Sequence, residues 1–312
     1  MATLRRSASV TMSASTRRAR VGPLEKRERK LFLAFLAPGL LLSLAAIFIP
    51  VLYAIQLSFY HAETFIAPPK FVGLANYGRI FADPRYWEAF ARGLFYAVTT
   101  VVLQVVIGIA LALLLHVEFR GRNLFRSAAM APYILPTVIV VYIWRWLLDV
   151  NHGLVNTSLG TLGIGPVQWF STPVMAWVST IFISVWYWTP FVTITFLAAL
   201  QTISEDLYDA AAVDGATAWQ RLLYVTLPVL KPVLVVIIML RSIFMFNKFD
   251  IVWLLTQGGP RTATEHLPIL AYVKTFKMFD IGGGAAVATS IFLFLALLIW
   301  LYFKLFPLEE HV

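Results

Sequence analysis

Two four-residue sets in this chain recur at i, i+3, i+4 and i+7, the spacing that gathers side chains on one face of an α-helix. Ser184, Tyr187, Trp188 and Phe191 form one set, within "SVWYWTPF"; Arg241, Phe244, Met245 and Lys248 form the other, within "RSIFMFNK". Tyr133 and Thr137, beside Pro132 and Pro136, share a third face. Aromatic rings with polar tips suit flat C–H faces edged by hydroxyls, the shape a sugar presents. Arginine takes an oxyanion through paired hydrogen bonds, so Arg241 and Lys248, about 10 Å apart by helix rise, could receive a sulfonate, phosphate or carboxylate. Plainer roles fit the same residues. The rings could anchor at a membrane interface or pack helices, and Lys248 could snorkel while Arg241 pairs with Asp250 or with another subunit.

This is the chemistry of reversible binding, and the rest of the sequence offers little else. There is no cysteine, which removes thiolate nucleophiles, thiolate metal ligation and disulfides. The five histidines show no H-x-x-x-H spacing, no metal site is expected, and no G-x-x-x-x-G-K-[ST] loop is present to cradle ATP. The acids cluster only at Glu205, Asp206, Asp209 and Asp214, with the spacing of a helix start. A D-D-x-x-D pattern, which a membrane-embedded transferase would need, is missing, and so are acids within the apolar spans that would couple an ion in a secondary transporter.

The elements that must position these residues are membrane helices. The chain of 312 residues is 60% hydrophobic and 13% charged, with mean hydropathy +0.78, whereas a soluble domain carries about 25% charged residues. Six stretches of about 20 apolar residues qualify as spans: 31–59, 94–117, 125–148, 174–200, 227–247 and 285–306. None shows the alternation of a membrane β-barrel. The expected fold is therefore an all-α, six-helix bundle over 31–306, with no second soluble domain and no internal repeat. Net charge is +9, but nine of the basic residues lie within 1–30, before the first span. There they set orientation rather than bind nucleic acid. Lys and Arg in the connections place both termini, 1–30 and 307–312, in the cytoplasm. The first 20 residues are Arg- and Ser-rich without an acid, the composition of a basic tail and also of a mitochondrial transit peptide.

That orientation makes the acidic connection at about 201–228 cytoplasmic. Ser204 is a suitable N-cap, Glu205 and Asp206 suit the positive end of a helix, and "LYDAAAV" continues it. Gly215 can take the positive φ that ends a helix. "TAWQRLLYV" then forms a second short helix with Trp219, Leu222 and Leu223 on one face. Leu227-Pro228 restarts the chain, where a first-turn proline loses no hydrogen bond. This helix–turn–helix is either a plain connector or a docking surface whose small residues allow close approach.

Asp209-Ala210-Ala211, three residues, Gly215, nine residues, then Val225-x-Leu227-Pro228 resembles the EAA loop of permeases in binding-protein-dependent ABC importers. Asp209 stands where that pattern has glutamate, and Val225 where it has isoleucine. "GLANYGRIFADPRYWEAF", "FRGRNLFRSAAMAPYILPTVIVVYIWRWLL" and "FDIVWLLTQGGP" are similar to the sugar branch, the maltose-importer permeases. The resemblance implies a subunit of the bacterial inner membrane without a cofactor of its own. Its implied partners are a second permease, a pair of ATP-binding subunits that use ATP and Mg, and an extracytoplasmic solute-binding protein. It also implies that Asp209, Ala210, Ala211, Asp214, Gly215, Leu227 and Pro228 meet the ATPase. The solute, a sugar or sugar derivative of undetermined charge, would pass Tyr133, Thr137, Ser184, Tyr187, Trp188, Phe191, Arg241, Phe244, Met245 and Lys248.

Overall fold

The computed structural model describes residues 23–62 and 68–306. Most of the basic tail, with the transit-peptide alternative, and the C-terminal 307–312 lie outside them. The chain divides into two units, up to Tyr53 and from Ala54 onward. The first consists, in its described residues, of the body of helix α1, Pro23–Leu57. Helix begins at Pro23, inside the segment expected to be tail, and its apolar stretch is Ala34–Leu57.

The second unit opens with a two-residue pairing, β1 (Tyr60–His61) with β2 (Lys70–Phe71), in antiparallel register. Then follow α2 (Ala75–Ala82), α3 (Pro84–His116), α4 (Arg122–Ile134), α5 (Thr137–Leu147), α6 (Leu154–Thr161) and α7 (Pro173–Leu200). The hairpin α8 (Glu205–Val213) and α9 (Ala218–Arg221) leads through a π-helical stretch, Leu222–Thr226, into α10 (Leu227–Val229) and α11 (Lys231–Phe246). Last come α12 (Asp250–Thr256), α13 (Leu267–Tyr272), a second π-helical stretch, Val273–Lys277, and α14 (Ile281–Leu305).

Among the described residues four helices are long and apolar enough to cross a bilayer: α1, α3, α7 and α14. The third and fifth expected spans are not straight helices. The α4–α5 pair bends by 100° and the α10–α11 region by 74°, so six spans result if each bent pair crosses once. The cause of the first bend is Pro136. It has no N–H to donate and forces the preceding residue out of the helical region; Leu135 sits at φ −73°, ψ 140°. At the second bend Leu230 leaves the helical basin just before Pro232 in the first turn of α11. Pro190 lies inside an uninterrupted α7. Ile281–Gly284 is the buried first turn of α14.

Helices α3 and α7 make the most extensive helix–helix contact. Gly108 of α3 lies against Val192 of α7 so closely that a Cβ there would sit 2.7 Å from the valine side chain. Ala112, Val192, Phe196 and Ile237 unite α3, α7 and α11 in one buried cluster. Tyr96, Val140, Ile183, Ile251 and Ile269 unite α3, α5, α7, α12 and α13 in another. Outer faces remain apolar, with Val98, Val102, Leu114, Phe292 and Leu297 exposed, as expected where lipid is the solvent.

Candidate functional site

The aromatic residues singled out on α4 and α7 come together at the α4–α5 break. The ring of Tyr133 lies 5.6 Å from Trp188 and 6.4 Å from Phe191, and Tyr187 lies 4.7 Å from Trp188, centroid to centroid. Tyr187 also serves the break. Its hydroxyl donates to the Leu135 carbonyl at 2.8 Å and lies 3.3 Å from the Thr137 hydroxyl. The carbonyl at the break is thus satisfied by a side chain from α7.

Both expected cations reach this cluster. The Arg241 guanidinium carbon lies 5.0 Å from the Trp188 ring centroid and 5.6 Å from that of Phe191; Lys248 Nζ lies 4.3 Å from Trp188. These are cation–π distances. Arg241 is buried, and its Nε donates to Gln104 Oε1 of α3 at 2.9 Å. It does not pair with Asp250, which instead meets Lys248 at 3.0 Å. Among the described residues Arg241 has no ion pair, and its Nη2 and the Nε1 of Trp188 are buried without a hydrogen-bond partner.

Three expected members sit differently. Phe244 is 55% exposed and points away from the cluster, while Arg241 and Met245 are buried. At 100° per residue, i+3 falls about 60° to one side of i and i+4 about 40° to the other, and the neighbours on α3 and α7 select the second side. Ser184 is drawn into the core, its hydroxyl 2.7 Å from Tyr96. Lys248 lies beyond the end of α11, in the turn before α12, rather than on the helix. That turn is held by His266, whose Nε2 donates to the Lys248 carbonyl at 2.8 Å. His266 lies outside the spans, and burial pushes its pKa down to about 4, against the opposing hydrogen bonds and Glu265.

Sequence reasoning missed Gln104, Tyr96 and His266. Gln104 carried a readable signal as the only amide inside an otherwise apolar second span, where a polar side chain demands a partner. Nothing local marks the partners of Tyr96 or His266.

The α8–α9 hairpin forms as expected, with two changes in its caps. The Ser204 hydroxyl accepts no first-turn amide and donates instead to Asp206 at 3.2 Å. The second helix has a reciprocal capping box between Thr217 and Gln220. Gly215 sits at φ +77°; its N–H donates to Ala212 and that of Ala216 to Ala211, at 3.0 and 2.9 Å. Those are the two bonds of a Schellman end. Asp209, Ala210, Asp214, Gly215 and Pro228 are exposed, with Ala211 and Leu227 half-buried. Val213, Trp219 and Tyr224 add exposed apolar surface, at 88%, 66% and 76%. Beside the hairpin lies a groove of about 820 Å³ lined by Leu113, His116, Leu200, Tyr208, Trp219 and Leu222. Among the described residues no group of His, Asp or Glu could hold a metal ion.

A bundle of apolar helices with two broken spans, an aromatic–cationic cluster at one break and an exposed hairpin beside the other defines a polytopic permease. Residues 104–307 match the family described as the binding-protein-dependent transport system inner membrane component, and the chain belongs to that family. It is 36% identical over 281 residues to the trehalose/maltose transport system permease protein MalF of Thermococcus litoralis, covering 90% of this chain and 95% of the relative. It is 34% identical to the sulfoquinovosyl glycerol transport system permease protein SmoG of Agrobacterium fabrum, covering 86% and 88%. Its fold is also that of a chain in a bacterial alginate ABC transporter solved with an alginate pentasaccharide-bound periplasmic protein, with TM-score 0.76, 23% identity and 89% and 93% coverage. The chain is thus a multi-pass membrane protein of the ABC importer permease class.

Proposed function

We propose that this chain is one of two permease subunits of an ATP-driven importer for a sugar or sugar derivative in the bacterial inner membrane, with both termini cytoplasmic. In this reading an ATP-binding dimer, loaded with ATP and Mg, docks on the 201–228 connection, and an extracytoplasmic binding protein delivers the solute. The chain itself carries no cofactor. The observation that carries the reading is the hairpin, whose Asp209, Ala210, Ala211 and Gly215 surround a bend open to a partner. Nothing within 4 Å would obstruct a side chain at Gly215. Ala210 and Gly215 are exposed, and small residues there leave room for close approach by another protein. The names of the relatives support the sugar class, and the Tyr133–Tyr187–Trp188–Phe191 wall has the chemistry for it.

Co-expression with neighbouring ATPase, permease and binding-protein genes, followed by affinity purification, tests the assembly. Gly215→Asn, which tolerates positive φ, should keep the ATPase; Gly215→Trp should lose it while the permease still accumulates. Solute uptake by the chain alone, without ATP, would instead identify an ion-coupled transporter.

An acidic solute (a sulfosugar, sugar phosphate or glycerol phosphate) is a second reading, favoured by the open Nη2 of buried Arg241. Arg241→Gln should then abolish uptake of the acidic solute and spare a neutral one; equal loss of both removes this reading.

A further inference from the structure

Gln104 is wholly buried on α3 and bonds to both α7 and α11. Its oxygen accepts from Arg241 Nε of α11 at 2.9 Å. Its nitrogen lies 3.4 Å from the Ser184 carbonyl of α7 and 3.5 Å from Met245 Sδ of α11. The Ser184 hydroxyl continues the chain to Tyr96. The amide therefore has its acceptor and its donors engaged on two other helices, α7 and α11. Its orientation is fixed by that arrangement: the reverse orientation would set an N–H against the guanidinium.

Arg241 in turn has the Gln104 oxygen on one side and the faces of Trp188 and Phe191 on the other. A buried guanidinium without a carboxylate needs each of these contacts, because an uncompensated charge in a dry interior is costly. Losing the Gln104 oxygen would free Nε as well as Nη2, and the side chain would turn away from Trp188 in search of an acceptor.

We infer that Gln104 is a positioning residue: it holds Arg241 against Trp188 and Phe191 and thereby sets the shape of the aromatic wall, without touching the solute itself. The inference rests on the proposed import of a sugar-type solute past that wall, and its test uses a neutral sugar, because a carboxylate at position 104 would itself oppose an acidic one.

The test is uptake kinetics of the reconstituted importer, with Gln104→Glu and Gln104→Leu. Glutamate keeps the oxygen, and leucine removes it at similar size. Gln104→Leu should raise KM about tenfold with maximal rate within twofold, and Gln104→Glu should keep KM near the starting value. A general packing defect would instead lower the amount of assembled importer and its maximal rate together. In the Arg241→Met background, Gln104→Leu should add no further change in KM, since its effect runs through Arg241. An additive change, or an equal effect of glutamate and leucine, overturns the inference. If Gln104→Leu does not assemble, the paired Gln104→Leu, Arg241→Met variant removes both polar partners and carries the test. Recovery of assembly with the raised KM of Arg241→Met supports coupling, and continued failure to assemble overturns it. Absence of sugar uptake by the unaltered importer bears on the proposed function instead. In that case thermal melting of the same four variants still reads the Gln104–Arg241 coupling.

Discussion

Arg241 and Trp188 face each other across two helices, with the guanidinium carbon 5.0 Å from the indole centroid. Lys248 lies 4.3 Å from the same ring. One indole thus serves two cations, one of which has an internal counterion, Asp250, while the other has only a neutral amide.

The first prediction concerns that ring. A cation–π contact shielded from water contributes up to about 2 kcal/mol, and a phenyl ring preserves a face for it where a leucine does not. Trp188→Phe should retain most uptake in proteoliposomes, whereas Trp188→Leu should raise KM by about tenfold. Equal effects of the two substitutions would show that the face of the ring is not what matters.

The second concerns the α3–α7 seam. A methyl at position 108 would stand 2.7 Å from Val192 Cβ and Cγ1 and 3.3 Å from the Thr193 nitrogen. Val192 is fully buried and β-branched, so it has no free rotamer to retreat into. Gly108→Ala should cost about 1–3 kcal/mol, seen as a lower melting temperature in detergent. Adding Val192→Ala should recover part of the loss, because it removes Cγ1, one of the two side-chain atoms struck.

What could be read in the sequence follows the range of the forces involved. The hairpin at 204–228 is governed by capping, alanine content and one glycine, all local, and it formed with only its N-cap bonding changed. Apolar runs located the spans for the same reason. The 100° bend was not read, although Pro136 was in view. An isolated proline distinguishes poorly between a kink and a break, and the deciding contact, the Tyr187 hydroxyl on Leu135, comes from another helix. Arg241 illustrates the limit for the site. Its burial cost signalled that a partner must exist, but Gln104 lies 137 positions away, and a nearer carboxylate, Asp250, looked the better match. Phe244 failed because helical spacing alone gives two candidate faces either side of Arg241, and only the packed bundle chooses between them.

The third prediction is a pH dependence. His266 has a folded pKa of about 4 against an ordinary 6.5, so between those values the unfolded chain binds more protons than the folded one. Stability is then complete above about pH 6.5 and falls as pH drops toward about 4, by up to about 3 kcal/mol. His266→Gln, which keeps a donor for the Lys248 carbonyl, should flatten that part of the melting-temperature profile. An unchanged slope between pH 6.5 and 4 would assign the acid sensitivity to other groups.

The fourth turns on the unequal burial of an ion pair. Arg85, at the start of α3, donates from Nε and Nη2 to the two oxygens of Glu265, each at 2.7 Å. The arginine side chain is 35% exposed and the glutamate only 4%. Removing the glutamate leaves a cation that can turn to water; removing the arginine leaves a carboxylate sealed in place. Because the penalty of breaking such a pair falls on the partner left buried, Arg85→Met should cost about 2 kcal/mol and Glu265→Gln about 1, after allowance for solvent at the arginine. Glu265 precedes His266, which holds the Lys248 turn, so Arg85→Met should also loosen Lys248 from Trp188 and raise KM for uptake. Melting curves of both single variants, with uptake on the same preparations, check the order. A larger loss for Glu265→Gln would mean that the carboxylate, once freed, finds water more readily than its burial allows.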